Sequence, residues 1–449
     1  MNRPLRVAVI GAGPAGIYAA DHLIKAVENV TVDIFDKLPT PYGLIRYGVA
    51  PDHPRIKEII KALHRVMDNP RIRFIGNVAY GVDVKPEEMS RFYDATIIAT
   101  GAEKDRELDI PGIDKLGSYG AADFASWYNG HPDVSRDWPL TAQKVAVIGA
   151  GNVAVDVARI LAKTADELLE TEIPDNVYQH LKNSPVTDVH VFSRRGPAQV
   201  KFTPQELREL DHSPNVDVIV HPEGIEFDEG SLEAMRQTRH VKMCVDILQN
   251  WAVRDPREDR PRRLHLHFLQ APVEVLGDNG KVEGLRTETQ ELTGDGWVRG
   301  TGEFTDWDVQ AVYRAVGYLS TALPDLPFDT RTGTIPHEAG RILDLDGEHI
   351  PGMYVTGWIK RGPVGLIGHT KGDAGETITS LLADVDKLPT APSREHDDVT
   401  NYLRGRGLPI TTWEGWQKLD AHEITLGEPH GRQRIKVVAR DEMTDICNG

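Results

Sequence analysis

The heptapeptide VAVIGAG occurs twice in the chain, at residues 7–13 and 145–151. The flanking segments RVAVIGAGPAGIYAADHL (residues 6–23) and KVAVIGAGNVAVDVARIL (residues 144–161) are offset by 138 residues (144 minus 6). One repeat at that separation is no solenoid period and reads as two copies of a nucleotide-binding unit. In each copy a short apolar run is followed by a Gly-rich turn. Apolar residues near helical spacing come next: Ala15, Ala19 and Leu23, or Val153, Val157 and Leu161. This pattern predicts a strand buried on both faces, a tight turn and a helix. In that context Gly11 permits the turn and Gly13 admits a pyrophosphate against the backbone. Gly16, or Ala154 in the second copy, allows close helix packing. The helix N-terminus then offers unpaired N–H groups and a positive dipole end to phosphates. The expected fold class is α/β, with two Rossmann-like dinucleotide-binding domains.

The residue ending the second strand of each copy separates the two ligands. In the first copy the strand VTVDIF (residues 30–35) ends at Asp36, 20 residues beyond Gly16 (36 minus 16). A carboxylate there accepts hydrogen bonds from ribose hydroxyls and suits an unphosphorylated ribose, that of FAD or NAD. In the second copy the strand DVHVF (residues 188–192) runs into Ser193-Arg194-Arg195-Gly196. Two guanidiniums replace the carboxylate, and planar forks of this kind hold a 2′-phosphate, which points to NADP. A polar, helix-like insertion of roughly Thr164 to Pro185 lengthens this copy. Two dinucleotide sites in one chain imply electron traffic, most commonly between a nicotinamide and a flavin. The apolar segments 93–101, ending in ATG, and 309–318 resemble the crossover strands of two-dinucleotide flavoproteins.

Further segments sharpen the reading. LPTPYGLIR (38–46) runs into GVAPDHP (48–54); RRGP (194–197) precedes TPQELREL (203–210); GWIKRGPVGLIG spans 357–368. Over essentially its whole length the chain resembles the adrenodoxin-reductase-like ferredoxin–NADP reductases, including the actinobacterial enzymes. The resemblance implies a glutathione-reductase-like topology, with an NADP domain (about 104–317) inserted into a discontinuous FAD domain (about 1–103 and 318–449). It implies FAD and NADP as cofactors and a ferredoxin as partner. The activity it implies is hydride transfer from NADPH to flavin, then single-electron transfer to the iron–sulfur carrier. By position, Ala15, Asp36, Leu44 and Tyr80 match the adenosine side of FAD or the strand beside it. Trp358, Gly365, Leu366 and Ile367 match residues along the flavin ring, Gly365 also lying near the nicotinamide. Gly151, Asn152, Val153, Ala154, Arg194, Arg195 and Glu206 match NADP contacts. His53 and Glu209 match polar residues that serve proton handling and positioning. Two departures stand out: Asp36 replaces the more usual Glu, and Tyr80 stands where Val is typical, so that match rests on backbone.

Composition narrows the alternatives. The formal charge is −17, from 51 basic and 68 acidic side chains, which argues against nucleic acid. Cys244 and Cys447 are the only cysteines, too few for a four-cysteine zinc or iron–sulfur site, and they form no CxxC pair. Disulfide reductases are therefore disfavoured. His265 and His267 alternate on one strand face, but no carboxylate or Cys cluster joins them in sequence, and no metal site is expected. No signal peptide or long apolar run appears, so a cytoplasmic protein without membrane insertion is expected. An acidic chain needs a local basic surface to dock an acidic ferredoxin. Arg208 ranks first for that surface, Lys360 and Arg361 second, and the run Arg254, Arg257, Arg260, Arg262 and Arg263 third. The tail from Val399, with Trp413 and Trp416, is too short for its own core and is expected to pack on the first domain. Two other readings remain open: a flavin-dependent monooxygenase and a non-catalytic NADP-binding subunit.

Overall fold

The two copies of the repeat lie in separate compact units of the computed structural model, which describes residues 3–365 and 367–449. The first unit holds the chain up to Lys104, Asn129–Asp133 and Tyr318–Gly449. The second holds Asp105–Tyr128 and Val134–Gly317.

In the first unit, strand Leu5–Ile10 lies parallel to Val30–Phe35 on one side and to Ala95–Ile98 on the other. Ile72–Ile75 and His349–Val355 extend the sheet in parallel, and two short antiparallel strands finish one edge. Every residue of Leu5–Ile10 is buried, because the sheet is covered on both faces. Val7 and Val9 pack with Ile17, Leu23, Val32 and Ile34; Ala8 and Ile10 pack on the opposite face with Phe35, Ile75 and Ile98. Helix Pro14–Ala26 lies against helix Ile367–Ala383.

The second unit repeats the arrangement. Its sheet runs Ser118–Gly120, Ala311–Arg314, Lys144–Ile148, Asp188–Phe192, Arg262–His267, Val216–Val220, parallel throughout. The repeated strand, its successor and a late crossover strand thus hold the same relative places in both units. A separate antiparallel sheet of Gln270–Leu276, Gly284–Leu292 and Val298–Trp307 follows. The expected insertion forms a short 3₁₀ turn, Ala165–Leu168, and helix Asp175–Lys182. Among the described residues no helix is long and apolar enough to cross a membrane.

The tail does pack on the first unit. Trp416, Leu419 and Met443 join the core built on Val7 and Val9, and Trp416 meets Tyr42 edge-to-face at 5.9 Å. Helix Trp413–Gly427 also carries Glu423, whose carboxylate takes both terminal nitrogens of Arg46 at 2.5 and 3.0 Å. Both side chains are buried, and the Val437 amide donates to the same carboxylate at 3.0 Å. Arg46 lies in the short helix Leu44–Tyr47, so this pair fixes that helix to the tail. Breaking a buried pair leaves one charge uncompensated, which costs about 3–5 kcal/mol. Glu423→Gln is expected to lower the urea midpoint of the first unit by a corresponding amount, checked by chemical denaturation.

Candidate functional site

In the first unit the Gly-rich turn hangs on the second strand, with the Gly11 amide donating to the Phe35 carbonyl at 2.7 Å. Gly11 has φ +115°, and a Cβ there would run into the carbonyl oxygen of Ala99, just past the crossover strand. A Cβ on Gly16 would strike the carbonyl of Gly11 and the side chain of Val9. Gly13 differs: a Cβ there meets nothing within 4 Å. Its glycine is not required by the protein's own packing, which leaves an open approach to the backbone. Helix Pro14–Ala26 starts there with no side-chain cap, so its first-turn N–H groups face that approach.

Other segments surround the turn. Asp36 receives the Ala12 amide on one oxygen (2.8 Å) and the Leu38 amide on the other (2.9 Å). Burial pushes its carboxyl up to about 6, against the lowering effect of those bonds. Each oxygen keeps a second lone pair for a hydroxyl. The Tyr42 amide donates to the Ala12 carbonyl at 2.8 Å, and a Cβ on Gly43 would lie 3.2 Å from Gly13 Cα. Leu44, half-buried, follows directly. Gly357, with φ +78°, comes so close to Ala15 that a Cβ would lie 2.6 Å from that residue's own. Its amide and the Thr356 hydroxyl donate to Asp373 at 2.6 and 2.9 Å. The structure therefore brings Gly11, Gly13, Ala15, Gly16, Asp36 and the 43–44 turn together with Gly357, next to Trp358.

The remaining positions of this unit are distributed as follows. Trp358 is half-buried, 6.5 Å from the Tyr318 ring. Gly365 is exposed, with φ +88° and His369 beside it. Leu366 and the side chain of Ile367 lie outside the described residues. Tyr80 is buried in the core beside Ile10 and Phe35, and its hydroxyl has no hydrogen-bond partner among the described residues. His53 is buried and stands at the N-terminal end of the short helix Pro54–Lys57, making no side-chain capping bond to it.

The second unit builds the same cradle. A Cβ on Gly149 (φ +148°) would strike the Ala315 carbonyl, while one on Gly151 meets nothing within 4 Å. Helix Asn152–Ala162 starts at Gly151 without a side-chain cap. Half-buried Val153 and buried Ala154 lie in its first turn. The Asn152 side-chain oxygen accepts from the Thr203 amide at 3.0 Å, and the Lys201 amide donates to the Ala150 carbonyl at 2.8 Å. Residues 201–203 thus clasp the turn. Arg194 is exposed; the Arg195 guanidinium lies 4.3 Å above the exposed ring of Trp297. Trp297 comes from the antiparallel sheet, and nothing in the sequence ties it to Arg195. Glu206 is buried and lies 3.6 Å from the Arg159 guanidinium. Glu209 is half-buried and accepts from Gln205 at 3.3 Å.

The structure corrects three expectations. Lys360 is not available for docking: it is buried and held by Asp373 and Glu376 at 3.0 and 2.5 Å. The Arg254–Arg263 run is engaged internally. Arg254 and Arg257 pair with Asp211 and Asp217, Arg260 and Arg262 cap backbone carbonyls, and Arg263 holds Asp188. Finally, a carboxylate does join the histidines: Asp188 lies 3.0 Å from His265, and His190 lies 3.0 Å from His267. Burial holds His190 down to about 3 and His267 down to about 2, so both are neutral at physiological pH. Arg208, in contrast, is exposed on helix Pro204–Leu210. Cys244 and Cys447 are free and buried, and burial pushes both thiols up to about 11, which makes them poor nucleophiles.

The cradle geometry separates two substitutions that look alike in sequence. Gly11→Ala forces a left-handed backbone and a clash with backbone, so it is expected to cost at least about 2–3 kcal/mol. Gly13→Ala is expected to leave the urea midpoint nearly unchanged.

Comparison with known proteins places this geometry. The family described as pyridine nucleotide-disulphide oxidoreductase matches residues 5–210. The NADPH-ferredoxin reductase FprA of Mycobacterium tuberculosis is 41% identical, with 100% of each chain covered. The mitochondrial NADPH:adrenodoxin oxidoreductase of Arabidopsis thaliana is 37% identical over 98% of this chain and 95% of its own. The solved structure of Mycobacterium tuberculosis FprA in complex with NADPH superposes with a TM-score of 0.91, covering both chains fully.

Proposed function

Because the chain belongs to the family of NADPH-ferredoxin and adrenodoxin reductases, we propose that it is an FAD-dependent reductase passing electrons between NADPH and a ferredoxin-type iron–sulfur protein. The observation that carries this reading is the pair of open cradles at Gly13 and Gly151, one beside a carboxylate and the other beside two guanidiniums. FAD fits the first. The uncapped helix start accepts its pyrophosphate, Asp36 its ribose hydroxyls, and the Ala15–Gly357 contact leaves no side chain to obstruct it. NADP fits the second, with Arg194 and Arg195 on the 2′-phosphate and Trp297 holding the Arg195 guanidinium flat by a cation–π contact. A bound flavin supplies the step between two-electron and one-electron chemistry. The chain's own residues bind, orient and exclude competing reactions.

His53 and Glu209 are assigned to proton handling and positioning, and Trp358, Gly365, Leu366 and Ile367 to the flavin ring. The absence of a reactive thiol pair supports a protein carrier rather than a dithiol as acceptor. The cytoplasm is the proposed location. Quantifying flavin released from purified protein tests the reading: about one FAD per chain is expected, and FMN or no flavin in folded protein contradicts it. Gly13→Ala should fold and yet lose most of that flavin.

Two further outcomes are expected. A charge-assisted contact is worth about 1.5–3 kcal/mol, so Arg194→Ala should weaken NADPH use tenfold or more and leave NADH use nearly unchanged. Steady-state kinetics with both nucleotides checks this. Arg208→Glu should raise the KM for ferredoxin at low ionic strength and leave ferricyanide reduction intact. Added salt should mimic it, since attraction between exposed charges is screened over about 8–10 Å.

A further inference from the structure

We propose that His190, His265 and His267 form a binding site for a divalent cation of the zinc class, with Asp188 orienting His265 from behind. The site lies within the second unit and is independent of the nucleotide assignments. Strands Asp188–Phe192 and Arg262–His267 are parallel neighbours with His190 opposite His265 and Phe192 opposite His267. Side chains two apart on a strand share a face, so three imidazoles meet there. His221, just past strand Val216–Val220, adds a fourth, 3.3 Å from His265. Trp307 covers one side, its ring 4.5 Å from that of His267.

Counting protons shows what this array lacks. Asp188 is ionised and only accepts, so His265 Nε2 carries a proton and Nδ1 a lone pair. His221 Nε2 must then donate to that Nδ1. In the contact of His190 Nδ1 with His267 Nε2, one nitrogen donates and the other accepts. In their uncharged form four imidazoles hold four N–H groups and four lone pairs. These contacts use three N–H groups and two lone pairs, so lone pairs are in excess. Such a surplus accepts a Lewis acid: the ion replaces the His221 N–H at His265 Nδ1, and a change of tautomer moves the proton shared by His190 Nδ1 and His267 Nε2 to the far nitrogen of one ring.

The geometry admits one. Ligand nitrogens of His190, His265 and His267 all lie within 4.8 Å of one another. Zinc–imidazole bonds of about 2.0–2.1 Å need neighbouring nitrogens at roughly 3.3 Å in a tetrahedral site; His190 Nδ1 and His267 Nε2 already stand 3.0 Å apart, so the wider pairs must close on the ion. The rings of His190 and His265 now stack with planes 7° apart, which aims their lone pairs in parallel. The three rings lie within 18° of parallel, so coordination requires turns about χ2, a soft torsion, in at least two of them. Asp188 supplies the outer carboxylate that metal-bound histidines usually have, itself held by Arg263 and Thr187. An all-imidazole set favours Zn²⁺, Cu²⁺ or Ni²⁺ over Mg²⁺ and Ca²⁺.

The test uses the full-length protein with its nucleotide cofactors, stripped of metal by a chelator. Zn²⁺ is titrated calorimetrically, Co²⁺ is followed by its visible bands, and Mg²⁺ is the control. One Zn²⁺ per chain is expected, with intense four-coordinate Co²⁺ bands and no Mg²⁺ binding. His190→Gln and His265→Gln should each weaken Zn²⁺ at least tenfold, and Asp188→Asn by about 10–100-fold. Should His190→Gln not fold, His265→Asn, whose amide still donates toward Asp188, gives the same reading. No Zn²⁺ binding up to about 100 µM overturns the proposal, as does binding that these substitutions leave unchanged.

Discussion

One close backbone contact recurs in both units and sets the position of each Gly-rich turn. In each unit the carbonyl of a residue following the crossover strand, Ala99 or Ala315, presses against the first motif glycine, Gly11 or Gly149. No side chain fits between them. That contact aligns the end of the repeated strand with the crossover strand and points the following helix at the open space beside Gly13 or Gly151. The cradle is therefore a product of sheet packing. Because the repeated strand, its successor and the crossover strand hold the same relative places in both units, one constraint met twice yields two dinucleotide cradles. Chemical identity is then assigned by what stands at the end of the neighbouring strand, Asp36 or the Arg194–Arg195 pair.

Around this frame, polar groups act mainly as anchors. Asp36 ties its own strand end to the turn through Ala12 and Leu38 before it meets any ribose. Asp373 holds Thr356 and Gly357 against the turn and also neutralises Lys360. Glu423 extends the same logic to the tail, holding Arg46 and with it the helix that begins at Leu44. The tail is thus a structural support of the first cradle, although it contributes no dinucleotide motif.

Much of this was legible in the sequence because it depends on local spacing. The repeated strands, the helix starts and the strand ends at Asp36 and Phe192 follow from glycine positions and apolar runs, which local sterics dictate. The tail's docking followed from its size and two tryptophans. What was not legible depends on long-range pairing. Lys360 looked like a surface cation because its partners, Asp373 and Glu376, lie a helical stretch away and carry no motif. The arginines at 254–263 looked like a basic patch because Asp211 and Asp217 meet them only after the sheet forms. Trp297 is 102 residues from Arg195 (297 minus 195), and the histidines meet Asp188 only through strand pairing.

The central claim is that the two cradles operate in series, from nicotinamide to flavin to a one-electron carrier. An anaerobic double-mixing experiment tests it directly. NADPH is mixed with the purified protein, and oxidised ferredoxin is added after the yellow absorbance has bleached. The account predicts rapid bleaching by NADPH, much slower bleaching by NADH, and recovery of the absorbance as about two ferredoxins are reduced per chain. Bleaching that ferredoxin fails to reverse, or a protein that NADPH does not bleach at all, would contradict it.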